Sequence, residues 1–168
     1  DYQTEGAIYA KHILSTVKDA KIGVLMQNDD YGKDYFNGFK QGLGKNADKI
    51  VQVATYEVAD PTVDSQMIAL KNSGANVFFN ITSPKLAAQG GRKAGELGWE
   101  PAHYINNVSA SVGTVMKPAG FQNAQGIITA QYVKDPTDPQ YAKDKDFQDW
   151  TACMKKYYPA GSLAQGEN

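Results

Sequence analysis

The sequence predicts an α/β fold, a three-layer doubly wound parallel sheet of about five strands with helices on both faces. Short apolar segments of strand length alternate with longer segments whose apolar residues recur at helical spacing. The first strand segment, residues 21–26, is continuously apolar after Lys21, which is typical of a strand covered on both faces. Right-handed crossovers between such units favour the strand order 2-1-3-4-5.

The elements follow one another in a regular order. A first helix over residues 4–17 carries its apolar residues on one face, and Thr4 is placed to cap it. The predicted strands are residues 21–26, 50–58, 76–81, 103–107 and 126–132. The predicted helices between them are residues 35–43, 60–70, 82–97 and 109–117. Pro84 fits the first turn of its helix, where its missing N–H has no cost.

The composition changes after Tyr132. Residues 134–139 contain two prolines and predict an extended linker, because the residue before a proline disfavours helix. Large side chains at helical spacing follow, from Phe147 to Tyr157, with no obvious seat on the preceding domain. Cys153 lies among them, and we expect it to be reduced and half-buried. Residues 161–168 are expected to be loosely ordered.

Composition and charge exclude several functions. The chain has 168 residues with 17 basic and 18 acidic side chains, so its net charge of -1 gives no reason to expect nucleic acid or an anionic membrane surface. No apolar run approaches the roughly 20 residues of a membrane span. No signal peptide begins the sequence, so in an exported protein we expect it to have been removed or to lie outside this sequence.

Polar side chains cluster where the predicted strands end. In an open α/β sheet, ligands bind outside the carboxyl ends of the strands. That edge comprises residues 28–32, 80–84, 106–111 and 131–132, which are rich in Asn, Ser, Thr and Tyr. Such residues form directional hydrogen bonds and are weak acids and nucleophiles, so this edge favours recognition over catalysis.

A phosphorelay receiver is an alternative because Asp29 and Asp30 follow the first strand. A receiver also needs an acid at the end of the third strand, where this sequence has Asn80, Ile81 and Thr82. The phosphoacceptor is therefore missing. For Asp30, turn formation and helix capping fit better than ligand contact.

Other catalytic and cofactor sites lack their motifs. Neither a dinucleotide fingerprint nor a phosphate-binding loop follows the first strand. His12 and His103 have no cysteine or carboxylate at metal-ligand spacing, and we expect an exposed helix position and a strand edge for them. Ser83 and Ser109 lack the flanking glycines of a nucleophile elbow. We therefore expect no cofactor, no metal and no enzymatic activity.

Six segments together resemble the second lobe of the branched-chain amino acid type of periplasmic ABC transporter solute-binding proteins. They are residues 4–14, 21–25, 28–33, 73–77, 96–99 and 126–129. The resemblance implies two α/β lobes that trap a small-molecule ligand by hinge closure, a periplasmic location and a membrane permease as partner. It also implies that residues 1–133 form the ligand-binding lobe and that residues 134–168 cross to the other lobe, absent from this chain.

The resemblance also suggests ligand contacts. Tyr31 matches a position where the family places an aromatic side chain on the ligand, and Ser83 and Pro84 fall near another contact. Asn107 and Val108 fall where amino-acid binders carry an acid that pairs with the ligand's ammonium group. The polar strand ends add a further set of candidates, which are Asp30, Thr82, Ser109 and Tyr132.

The sequence departs from the family pattern at the acid. No Asp or Glu lies between Glu100 and Asp135, so an ammonium group facing Val108 would find no counter-ion. We therefore expect a small organic or aromatic carboxylate without an amine, with Asn107 and Ser109 as neutral donors in place of the acid. A flavodoxin-like receiver or small α/β enzyme, and a ligand-sensing lobe of a receptor or repressor, remain alternatives.

Overall fold

A computed structural model of the chain describes residues 1–161, so the predicted tail at 162–168 lies outside the described residues. The helices are α1 (Tyr2–Thr16), α2 (Asp30–Leu43), α3 (Asp64–Asn72), α4 (Pro84–Glu96), α5 (Lys117–Ala119) and α6 (Lys145–Tyr157). The strands are β1 (Ile22–Gln27), β2 (Ile50–Tyr56), β3 (Val77–Ile81) and β4 (Ala102–Ile105). None of the described helices is long and apolar enough to cross a membrane.

The sheet confirms the predicted class. Its four strands are parallel in the order β2-β1-β3-β4. The strand order reverses between β1 and β3, so the loops that follow these two strands begin the site described below.

The predicted fifth strand is wrong in its length. Ile128 lies beside β4 as the predicted order requires, but it forms only an isolated bridge with Tyr104. The chain then leaves the sheet, because the Ala130 N–H donates to the hydroxyl of Tyr9 at 2.8 Å. A tertiary contact with α1 therefore takes the place of the next ladder bond.

Apolar side chains fill both faces of the sheet. On one face α1 and α2 pack against residues such as Val24 and Phe79, and on the other α3 and α4 pack against Leu25 and Phe78. The two helices α1 and α2 meet backbone to backbone. A Cβ added at Gly38 would overlap the backbone of Gln3, so only glycine fits this crossing.

Three local predictions are corrected. Asp1, not Thr4, caps α1, because its side chain accepts from the Thr4 N–H at 2.7 Å. Cys153 is exposed, because α6 buries none of its residues. The short helix predicted after β4 is a 3-10 turn (Asn107–Ser109), a π-helical turn (Val112–Met116) and then α5. The division of the chain at residue 133 stays a prediction.

Candidate functional site

The backbone oxygen of Thr82, just after β3, is the centre of the polar edge. It accepts three donors, which are the Tyr31 hydroxyl at 3.2 Å, Nδ2 of Asn106 at 2.9 Å and the Ser109 hydroxyl at 2.5 Å. A carbonyl has two lone pairs, so three donors exceed its capacity. The Tyr31 bond is the longest and is therefore the one most easily exchanged for a ligand.

Two of the predicted contact residues lie beneath the surface. Thr82 and Ser109 are both 0% exposed. The Thr82 hydroxyl donates to Oδ1 of Asn80 at 2.6 Å, and the Ser109 hydroxyl is the donor to the Thr82 oxygen described above. Both hydroxyls therefore hold the floor of the site together and do not face solvent.

The start of α4 presents backbone donors at the same edge. Ser83 is the N-cap residue, and its side chain does not cap the helix. The first intrahelical bond runs from the Ala87 N–H to the Ser83 oxygen at 2.8 Å, so the N–H groups of Lys85 and Leu86 precede it. With Pro84 in the first turn, this helix end is an electropositive position that suits a carboxylate oxygen.

Tyr56 fixes that helix end from β2. Its hydroxyl accepts from the Ser83 N–H at 2.9 Å and donates to Oε1 of Gln27 at 2.9 Å. Burial raises the pKa of Tyr56, so the hydroxyl stays protonated at neutral pH. The position of Ser83 therefore depends on a side chain from a different strand.

The turn after β1 leads into α2, where Asp30 is exposed and Tyr31 is partly buried. Asp29, not Asp30, caps α2, because Oδ1 of Asp29 accepts from the Gly32 N–H at 3.1 Å. Asp30 is exposed in a shallow groove of about 480 Å³ that also contains Tyr2 and Tyr31. Burial raises the pKa of Tyr31 well above its usual range, so this side chain acts as a neutral donor.

Asn107 is held by bonds within the lobe. Its backbone N–H donates to Oε1 of Glu5 at 2.7 Å, and its Nδ2 donates to the Ala130 oxygen at 2.8 Å and to Oε1 of Gln131 at 2.7 Å. Both Nδ2 protons are thus occupied, and Oδ1 is the atom left for a ligand. The geometry gives Asn107 an acceptor where the sequence predicted a donor.

Glu5 is the acidic residue that the sequence analysis missed at this edge. It lies 102 residues before Asn107 in the chain, at the first turn of α1. Its other hydrogen-bond donors are the hydroxyls of Tyr9 and Tyr35, each at 2.7 Å. The only signal in the sequence was a glutamate in the first turn of a helix with a tyrosine four residues later.

A cleft of about 570 Å³ opens beside Asn107. Three predicted residues line it, namely Asn107, Val108 and Tyr132, together with the linker and one face of α6 at Phe147 and Trp150. Tyr31 and Asp30 lie in the separate shallow groove, and Ser83 and Pro84 line neither cavity. The structure thus groups the predicted residues along one edge without joining them in a single cavity.

The charged side chains of Lys134 and Asp146 line this cleft. Nζ of Lys134 lies 2.7 Å from Oδ2 of Asp144, which raises the pKa of the lysine and lowers that of the aspartate. Within residues 1–161, no cluster of three or more His, Cys, Asp or Glu side chains could hold a metal ion. The arrangement can form hydrogen bonds and apolar contacts with a small molecule.

Comparison with known proteins places these features in a family. A family model described as periplasmic binding protein matches residues 1–167. A comparison with curated protein sequences finds no match. Among solved structures, a substrate-binding periplasmic protein from Ralstonia solanacearum is 23% identical with a TM-score of 0.77, and the match covers 94% of this chain and 44% of that one.

The names of two further similar structures state a ligand or a substrate class. A branched-chain amino acid ABC transporter protein from Thermus thermophilus with bound valine gives a TM-score of 0.79 at 14% identity, covering 94% of this chain and 40% of that one. A fatty acid ABC transporter substrate-binding protein from Thermomonospora curvata gives 0.73 at 19%, with the same coverages of 94% and 40%. These similarities show the fold, and the chain spans less than half the length of these structures.

Proposed function

Because this chain belongs to the periplasmic binding protein family, we propose that it is one lobe of an extracytoplasmic solute-binding protein that delivers a small molecule to the permease of an ABC importer. The chain spans 44% of the Ralstonia protein, which leaves room there for a second lobe of similar size. In this proposal residues 1–133 form one wall of the ligand cleft, and the segment from residue 134 onward leads to the other lobe.

The observation that carries the proposal is the chemistry of the strand-end edge. Its side chains are mostly uncharged hydrogen-bonding groups, and Thr82 and Ser109 are locked into its floor. A preformed polar floor beside an apolar cleft is typical of ligand recognition. The family and the structural neighbours are likewise binding proteins and not enzymes.

The proposed ligand is a small organic carboxylate without an ammonium group. The start of α4 at Ser83 offers donors to the carboxylate, and Tyr31 offers an aromatic face with an exchangeable hydroxyl. Valine and fatty acids, the names attached to two neighbours, share a carboxylate, and only valine has an amine. Nothing in the site favours an aromatic over an aliphatic acid.

Glu5 is an acid that could pair with the ammonium group of a ligand, but its oxygens are already hydrogen-bonded. The carboxylate of Glu5 lies next to Asn107, and Asp146 on α6 lines the cleft itself, so acids are present around the site. Two hydroxyls and one backbone N–H already occupy the Glu5 carboxylate, and an ammonium group would have to displace one of these donors. At Glu5, the desolvation of an ammonium group would then be incompletely compensated.

The ligand proposal is tested by matched pairs of ligands. We expect isothermal titration of the complete two-lobed protein to show 4-methylpentanoate binding at least about ten-fold more tightly than L-leucine, which differs only by the amine. The amide 4-methylpentanamide tests the need for the negative charge. Tighter binding of leucine than of 4-methylpentanoate would contradict the amine-free ligand.

A pair of serine variants tests the site. Ser83→Ala removes a hydroxyl proposed to donate to the carboxylate, and we expect about ten-fold weaker binding because hydrogen bonds to charged groups contribute about 1.5–3 kcal/mol. Ser65→Ala removes an exposed hydroxyl on α3, away from this edge, and is the matched control. Equal ligand affinities of the two variants would show that Ser83 does not contribute to ligand binding.

An uptake measurement separates transport from ligand sensing. Deleting the gene for a transport protein abolishes uptake of the labelled ligand by the cells, and restoring the gene recovers it. A receptor lobe, the alternative from the sequence, would bind the same ligand but leave uptake unchanged.

A further inference from the structure

Glu5 stands out because it is a half-buried carboxylate without a cation. No salt bridge in the described part of the chain includes it. Three donors surround it instead, all at 2.7 Å: Oε1 accepts from the Asn107 N–H and the Tyr9 hydroxyl, and Oε2 accepts from the Tyr35 hydroxyl. The single proton of the Tyr9 hydroxyl is also within reach of the Ile105 oxygen at 2.9 Å, so Glu5 shares this donor. Its place in the first turn of α1 also favours a negative charge.

The donors stay protonated throughout the neutral range. Tyr9 and Tyr35 are 2% and 0% exposed, and burial is the largest cause that raises the pKa of each hydroxyl. A tyrosine that donates to a carboxylate can lose its proton only by placing two negative charges side by side. The three bonds to Glu5 therefore form one stable unit.

This unit extends to the chain that leaves the lobe. The Tyr9 hydroxyl accepts from the Ala130 N–H at 2.8 Å, and Nδ2 of Asn107 donates to the Ala130 oxygen at 2.8 Å. Both backbone polar groups of Ala130 are thus held by residues that contact Glu5. The turn at Asn107 is fixed to α1 through the Glu5 carboxylate, and the outgoing segment at Ala130 is fixed to α1 through Tyr9, whose hydroxyl also contacts that carboxylate.

We propose that Glu5 is a positioning residue that holds the turn at residues 107–109 and the outgoing segment at Ala130 in the geometry used for ligand binding. Asn107 and Val108 line the cleft, and Glu5 lies behind them as their support. The part of this proposal that concerns ligand binding rests on the proposed function, whereas the holding of the turn does not.

The choice of variants separates positioning from general stability. Glu5→Gln keeps the chain length and an oxygen that can accept from the Asn107 N–H, while its amide can donate to the Tyr35 oxygen. Glu5→Ala removes every bond. Tyr35→Phe is the matched control, because it removes one hydrogen bond from the same carboxylate without touching Asn107.

The experiment measures amide hydrogen exchange and 4-methylpentanoate affinity on the complete protein. In Glu5→Ala we expect exchange of the Asn107 and Ala130 amides to rise at least about ten-fold and affinity to fall by about ten-fold. In Glu5→Gln and Tyr35→Phe we expect changes below about three-fold in both. Should Glu5→Ala fail to fold, Glu5→Asp, which is one methylene shorter, takes its place.

Each result decides the proposal. Unchanged exchange at Asn107 in Glu5→Ala overturns it, as does equal loss in Tyr35→Phe, which would indicate general loosening. Faster exchange with unchanged affinity overturns the link to binding. If the wild-type protein binds no carboxylate, the proposed function fails by itself, and the exchange data still decide whether Glu5 holds the turn.

Discussion

His103 gives a pH dependence whose size follows from the structure. Its imidazole is 8% exposed, lies against the ring of Phe78 with centroids 4.6 Å apart, and places Nε2 3.1 Å from Nδ2 of Asn80. Burial lowers its pKa from 6.5 to about 4, because the charged imidazolium loses its hydration. The sequence predicted only a strand edge for this residue, not its burial.

The sign follows from proton binding in the two states. Between pH 6.5 and about 4 the unfolded chain binds a proton on this side chain and the folded chain does not, so the free energy of unfolding falls as the pH falls. The whole lowering of the His103 pKa corresponds to roughly 3 kcal/mol of unfolding free energy, since one pKa unit is about 1.36 kcal/mol. About 2.5 kcal/mol of it is lost by pH 4.5.

The test compares urea unfolding at pH 7 and pH 4.5 for the wild-type chain and His103→Gln. Carboxylates also titrate in this range, so the informative quantity is the difference between the two proteins. We expect the wild type to lose about 2.5 kcal/mol more than His103→Gln on acidification. An identical loss in the wild type and His103→Gln would refute the reasoning.

Two further changes test the packing and the polar edge. Gly38→Ala forces α1 and α2 apart and is expected to lower the free energy of unfolding by about 1–3 kcal/mol. Gly90→Ala, where the nearest atom to an added Cβ is 3.6 Å away, should be neutral or stabilising, so similar losses in both would contradict the crossing described here. Tyr56→Phe leaves the Ser83 N–H without its acceptor and is expected to be destabilising by about 1–3 kcal/mol in urea unfolding, whereas a loss below about 0.5 kcal/mol would mean that water replaces the hydroxyl.

The central strands β1 and β3 could be predicted closely because their sequence pattern has one cause. Residues 76–81 were predicted as a strand and Val77–Ile81 forms one, with every residue buried. A strand covered on both faces is mostly apolar, with a buried polar residue such as Asn80 held by hydrogen bonds, and few other segments of an α/β domain have that pattern at that length. The local sequence is therefore sufficient to predict where such buried strands lie.

The prediction of the fifth strand failed because a contact that is distant in sequence determines the structure there. Residues 126–132 have apolar residues of the right type, yet the backbone of Ala130 bonds to Tyr9, which is 121 residues away in the chain. No local sequence pattern indicates whether the Ala130 N–H will donate to a neighbouring strand or to the Tyr9 hydroxyl. A similar distance in sequence hid Glu5, because no Asp or Glu lies between Glu100 and Asp135 around its partner Asn107.

The polar edge is almost saturated by its own hydrogen bonds, and this limits what one lobe can offer to a ligand. The hydroxyls of Thr82 and Ser109 and both Nδ2 protons of Asn107 are occupied within the lobe. What remains at this edge, within the described residues, is the Tyr31 hydroxyl in its long bond to the Thr82 oxygen, the donors at the start of α4, Oδ1 of Asn107 and the buried, unpaired Oδ1 of Asn106. A ligand held by so few groups keeps much of its surface in water on this wall. In the proposed two-lobed protein, closure against a second wall would supply the remaining contacts, and the rigidity of this edge would limit the entropy lost when it closes.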